Sequence, residues 1–103
     1  MAKRILVVED NDLNRKLFCD VLKSQGYAVE PCADGLEALG KARDFVPNLI
    51  IMDIQLAGAL DGISTAKLIR DKHDIPVIYL TDFADQQTVD RAKITRPATY
   101  LTK

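Results

Sequence analysis

The chain has no block of basic residues, no long apolar run, no phosphate-cradling glycine loop and no CxxC pair. Each absence closes a class of function. The 14 Lys and Arg are scattered among 15 Asp and Glu, and the net charge is −1, so neither nucleic acid nor an anionic membrane is an expected partner. No apolar stretch approaches the roughly 18 residues of a membrane span. Neither GxGxxG nor GxxxxGK(S/T) occurs, which disfavours nucleotide binding. Cys19 and Cys32 are expected to be reduced structural thiols, because a disulfide is disfavoured in a reducing compartment. Met1-Ala2-Lys3-Arg4 leads straight into an apolar run with no room for a signal peptide, and a cytoplasmic location is expected. Internal repeats, linkers and low-complexity tracts are missing too. With 103 residues, the expectation is one domain spanning 1–103.

What the chain does have is a regular alternation of short apolar runs and amphipathic stretches. Strands are expected at Arg4 to Val8, Tyr27 to Glu30, Leu49 to Met52, Ile75 to Leu80 and Ala98 to Thr102. The continuous apolar character of Ile5-Leu6-Val7-Val8 suits a strand buried on both faces. Helices are expected over Asp12 to Gln25, Asp34 to Phe45, Asp61 to Lys72 and, more weakly, Asp85 to Lys93. In the first, Leu13, Leu17, Phe18, Val21 and Leu22 share one face. Asn11 or Asp12 can cap it and Gly26 can end it. In the second, Leu36, Leu39, Ala42 and Phe45 are expected inward; in the third, Ile63, Ala66 and Ile69. The alternation predicts a three-layer α/β domain with a five-stranded parallel sheet in the flavodoxin-like order 2-1-3-4-5. The sequence stops at Lys103, where a further helix is expected. A longer parent molecule, self-association or a partner helix would then cover the sheet face left open.

Five chemically active side chains each end or follow a strand: Glu9 and Asp10 after the first, Asp53 after the third, Thr81 after the fourth and Lys103 after the fifth. In an open parallel sheet the carboxyl ends of the strands gather at one edge, where ligands bind. Three acids brought that close repel one another unless a cation joins them. The set therefore points to Mg2+-assisted phosphoryl transfer to an aspartate. Asp10 and Asp53 are the natural direct ligands of Mg2+, with Glu9 acting directly or through water and the backbone carbonyl of Gln55 adding another oxygen. Asp53 is the nucleophile, Lys103 a point charge for a phosphoryl oxygen and Thr81 a hydrogen-bond donor to another.

These residues, in the segments ILVVEDN, LIIMDIQL, VIYLTD and YLTK, resemble the receiver domains of two-component response regulators, of the CheY-like type. The first half, VVEDNDLNRKLFCDVLKSQGY, is similar to single-domain regulators of the DivK type. The second half is more similar to receivers joined to sensory modules, a mismatch that suggests a recombined or designed chain, and the stop at Lys103 suggests a truncated one. The resemblance implies a signalling phosphoacceptor rather than an enzyme. A histidine kinase or histidine phosphotransfer protein donates to Asp53, and the aspartyl phosphate later hydrolyses. Thr81 becomes the switch hydroxyl and Tyr100 the switch aromatic, although Tyr100 also reads as ordinary sheet packing. Asp82 departs from the small residue usual in the family and is expected to crowd the phosphoryl group. Ala57 replaces a common proline in a longer loop. Two rivals are an aspartyl-phosphate phosphatase and a receiver-shaped scaffold that is never phosphorylated. The first is disfavoured because Gln55 stands where such enzymes place a general acid. The second is separated by Mg2+ and beryllofluoride binding.

Overall fold

Each apolar run becomes a parallel strand, and the connections from β1 through to β4 carry helices. The computed structural model describes residues 2–54, 56, 58, 60–81 and 99–102, with side chains described up to residue 80. The order of elements is β1 (Arg4–Val8), α1 (Asp12–Ser24), β2 (Ala28–Cys32), α2 (Gly35–Phe45), β3 (Leu49–Asp53), α3 (Gly62–Lys72), β4 (Val77–Thr81) and β5 (Thr99–Thr102). The sheet order is β2-β1-β3-β4-β5, with every pair parallel, as expected. The weak helix expected over Asp85 to Lys93 lies outside the described residues.

Strand alternation sorts the core into two faces. Leu6, Val8, Ile50, Met52, Val77 and Tyr79 point to one face, where Ala38 and Ala42 of α2 and Ile63, Ala66 and Ile69 of α3 cover them. Ile5, Val7 and Val29 point to the other, against Cys19, Phe18 and Leu22 of α1. Leu6, Ile50 and Met52 are fully buried, and each such side chain contributes about 1.5–3 kcal/mol. On the α1 side, Phe18, Val21, Leu22, Ile51 and Leu80 border an apolar hollow.

Two helix faces differ from expectation. Leu13, Leu17 and Val21 are 65%, 51% and 60% exposed, and Leu36 is 63% exposed. The five apolar side chains of α1 span a wider arc than one contact can bury, so only the Phe18, Cys19 and Leu22 edge meets the sheet. In α2 the closest approach belongs to small residues, Ala38 and Ala42, which leaves the larger Leu36 on the flank. For α3 the expected Ile63, Ala66 and Ile69 are all buried.

Every described helix starts with a side-chain cap, α1 and α2 just past their strands and α3 further beyond β3. Asn11 accepts from the Asn14 N–H at 2.9 Å, Asp34 from Glu37 at 2.8 Å and Asp61 from Ser64 at 2.8 Å. Each cap is worth about 1 kcal/mol. Together they fix how the three helices leave the carboxyl edge of the sheet. Gly62, the first residue of α3, lies so close to β3 that an added Cβ would collide with the Asp53 carbonyl. Its N–H donates to the Ile54 carbonyl at 2.9 Å. At the opposite edge, α2 ends on Val46 with φ 49° and ψ 64°, and the Val46 carbonyl accepts from Nε of Arg4 at 2.9 Å.

Four outcomes are expected. Gly62→Ala forces β3 and α3 apart and should lose at least about 2 kcal/mol of unfolding free energy. Gly40→Ala, inside α2 where an added Cβ meets nothing within 4 Å, should gain about 0.5–1 kcal/mol. Urea titrations of the pair measure both, and equal effects would refute the close contact at Gly62. Val46→Asn should stabilise by about 1 kcal/mol, because a left-handed β-branched residue is strained there and the side chain is 54% exposed. A lower urea midpoint would refute that. Both cysteines are buried and free; burial pushes the Cys32 thiol up from 9.0 to about 12, and raises Cys19 too. The fold favours the neutral thiol, so this stabilisation is complete below the unfolded value near 9 and is lost as pH rises through about 12. Native protein at pH 8 should resist a thiol reagent that labels both cysteines once the chain is unfolded; prompt native labelling would contradict the burial argument.

Candidate functional site

Strand register brings the acids together. Val8 pairs with Met52, Met52 with Tyr79 and Tyr79 with Tyr100. One step further along, Asp53 pairs with Leu80 and Leu80 with Leu101. Glu9 and Asp10 leave β1 beside that row. The main chain past Glu9 and Asp53 is held by the Glu9 N–H donating to the Cys32 carbonyl and the Ile54 N–H donating to the Leu80 carbonyl, both at 3.0 Å.

Glu9, Asp10 and Asp53 each offer a carboxylate oxygen, and these lie within 4.8 Å of one another. Glu9 and Asp53 are buried, at 0% and 2% exposure, whereas Asp10 is exposed. The cluster is thus closed at its base and open to solvent at its rim. An oxygen-only donor set with an open side fits a small hard cation that keeps several waters, such as Mg2+. It lacks the nitrogen and sulfur ligands typical of zinc sites.

Among the expected site residues, Glu9, Asp10 and Asp53 are brought together. The Thr81 backbone ends β4, one position beyond the partner of Asp53, and Tyr100 lies on β5 beside Tyr79. The side chains of Thr81 and Tyr100 lie outside the described residues, as do Gln55, Asp82 and Lys103.

Three further residues support the cluster and were not singled out from the sequence. The Asn14 side-chain amide donates to Oε1 of Glu9 at 3.3 Å. Arg15 donates to the Glu9 carbonyl at 2.8 Å. Gly62 admits the first turn of α3 against the Asp53 carbonyl. Asn14 and Arg15 follow the acid pair by one helical turn, a spacing that could have drawn attention to them. Gly62 follows the capping Asp61, but its close approach is a tertiary fact.

Residues 5–103 match the family model of the response regulator receiver domain. The chain is 40% identical over 106 residues to the polar-differentiation response regulator DivK of Brucella ovis, covering all of this chain and 85% of that protein. DivK of Brucella anthropi is 40% identical over the same extent. The likeness to DivK therefore runs along the whole chain. Among solved structures, the signal receiver domain of a modulated diguanylate cyclase from Desulfovibrio desulfuricans superposes with a TM-score of 0.93 at 36% identity, covering 100% of this chain and 82% of that one. The chemotaxis protein CheY4 of Vibrio cholerae gives a TM-score of 0.93 at 27% identity, covering 100% and 88%. With an acid cluster, two of its three carboxylates buried, at the edge of a 2-1-3-4-5 sheet and a family match along nearly its full length, this chain belongs to the response regulator receiver domains.

Proposed function

We propose that this receiver domain accepts a phosphoryl group on Asp53 from the phosphohistidine of a histidine kinase or histidine phosphotransfer protein, with Mg2+ held by Glu9, Asp10 and Asp53. The observation that carries this reading is the convergence of three carboxylates within 4.8 Å at the carboxyl edge of the sheet, two of them buried. Such a cluster is costly without a cation. Its position just past apolar strands is where open α/β sheets place ligands.

The roles follow from chemistry. A carboxylate oxygen of Asp53 attacks phosphorus, an O–P bond forms, and the donor's N–P bond breaks with its electron pair returning to the imidazole. The bound cation supplies neutralisation of charge on the transferring oxygens. The Gln55 carbonyl completes the oxygen set, Lys103 pairs with one phosphoryl oxygen and Thr81 donates to another. The new group adds roughly one to two negative charges. Thr81 turns toward it and Tyr100 follows into the space vacated, a shift between two existing states. A phosphatase is the weaker reading, since Gln55 stands two positions after Asp53 and its amide is no acid able to protonate a leaving group. A histidine donor and a signalling role also accord with the family.

Incubation with Mg2+ and acetyl phosphate should add one phosphoryl group by intact mass, and Asp53→Asn should abolish the gain. Undiminished labelling of Asp53→Asn, or no labelling of the folded parent chain, overturns the assignment.

A further inference from the structure

The first turn of α1 carries two side chains that the phosphoacceptor reading has not used. Arg15 is a helix-surface residue by sequence, yet its side chain is only 21% exposed. One end of its guanidinium donates to the Glu9 carbonyl at 2.8 Å and reaches the Asp10 carbonyl at 3.5 Å. The other end pairs with the Asp12 carboxylate. Beside it, the Asn14 amide donates to Oε1 of Glu9 at 3.3 Å, while the Asn14 N–H is capped by Asn11. The turn bearing both metal acids is therefore fastened to the helix through the main chain by Arg15 and through one carboxylate by Asn14.

We propose that Arg15, seconded by Asn14, is a positioning residue of the cation site, holding the Glu9–Asp10 turn so that both carboxylates are preset for a divalent ion. The inference rests on the cation-binding reading of Glu9, Asp10 and Asp53.

A different role would follow if Arg15 acted by charge. A guanidinium close to the acids would oppose a cation, and removing it would tighten binding. Two features favour the tether. The positive charge is already paired with Asp12, so its field on the site is that of a dipole. Its Nη1 donates to carbonyls of the main chain, at Glu9 and Asp10. Fixing two backbone residues before the ion arrives removes an ordering cost from binding, whereas a paired charge near solvent is screened by salt.

The test is calorimetric titration of the full chain with MgCl2, alongside thermal unfolding without metal. Arg15→Met keeps the aliphatic stem but loses the fork. It should weaken Mg2+ binding about tenfold, the scale of one ordered residue's worth of free energy, and the ratio to the parent should hold at low and high salt. Arg15→Lys reaches a single carbonyl and should fall between the two. Asp12→Asn keeps the carbonyl bonds and should stay within about threefold of the parent, the scale of a screened surface pair. If Arg15→Met fails to fold, Arg15→Lys carries the test. Binding by either Arg15 variant that equals or exceeds the parent's overturns the tether. A parent chain that takes up no Mg2+ overturns the cation reading itself, so the two failures are distinguishable.

Discussion

The structure is organised around a repulsion. Glu9 and Asp53 are both buried and bring carboxylate oxygens within 4.8 Å of each other, with Asp10 at the same centre. At an effective dielectric near 20, two unit charges at that separation oppose each other by roughly 3–4 kcal/mol. That is a large share of the 5–15 kcal/mol typical of a small domain's stability. A fold that keeps such a cluster must hold it by force of topology and offset the repulsion with hydrogen-bond donors, a proton or, on the proposed reading, a cation.

Topology supplies the first part. The parallel strands stop at one edge, so the acids that follow or end β1 and β3, Glu9, Asp10 and Asp53, arrive together. The buried faces of β1 and β3 cannot slip by one position without turning Leu6, Ile50 and Met52 over to the other face. Main-chain bonds from Glu9 to Cys32 and from Ile54 to Leu80 then fix the exits from β1 and β3. Side-chain caps at Asn11 and Asp34 start α1 and α2 within three residues of their strands, and Asp61 caps α3 further on. Gly62 shows how tight this is: the absence of a single carbon lets α3 start against the carbonyl of Asp53.

Much of this was legible in the sequence. Strand positions follow from apolar runs such as Leu49-Ile50-Ile51-Met52, and a βα alternation leaves few right-handed topologies to choose from. Glu9, Asp10 and Asp53 stand out because an acid directly after a buried strand needs a reason. The helix faces were less legible. Periodicity puts Leu13, Leu17 and Val21 on a stripe but does not say which edge of the stripe meets the sheet. Cys19, Ala38 and Ala42 take the contact because they are small enough for close approach. Val46 could not be read as a left-handed helix end, since β-branched residues avoid that region. Arg15 was not singled out from the sequence; only the folded turn shows that its fork reaches two carbonyls.

The same packing limits where a phosphorylation signal can go. On the α2 and α3 face, Leu6, Ile50, Met52 and Tyr79 are fully buried, and cores of this kind hold discrete arrangements and do not deform smoothly. Moving any of those side chains would open a void that costs on the order of 2–5 kcal/mol. A complete shift between two states needs about 5.5 kcal/mol of differential interaction, and on the proposed reading that must come from contacts to one phosphoryl group. A route through the core would consume most of it. The economical route starts where Asp53 pairs with Leu80 and the Leu80 carbonyl takes the Ile54 N–H. On the proposed reading it would then run outward along the end of β4 and across to β5, past the buried layer.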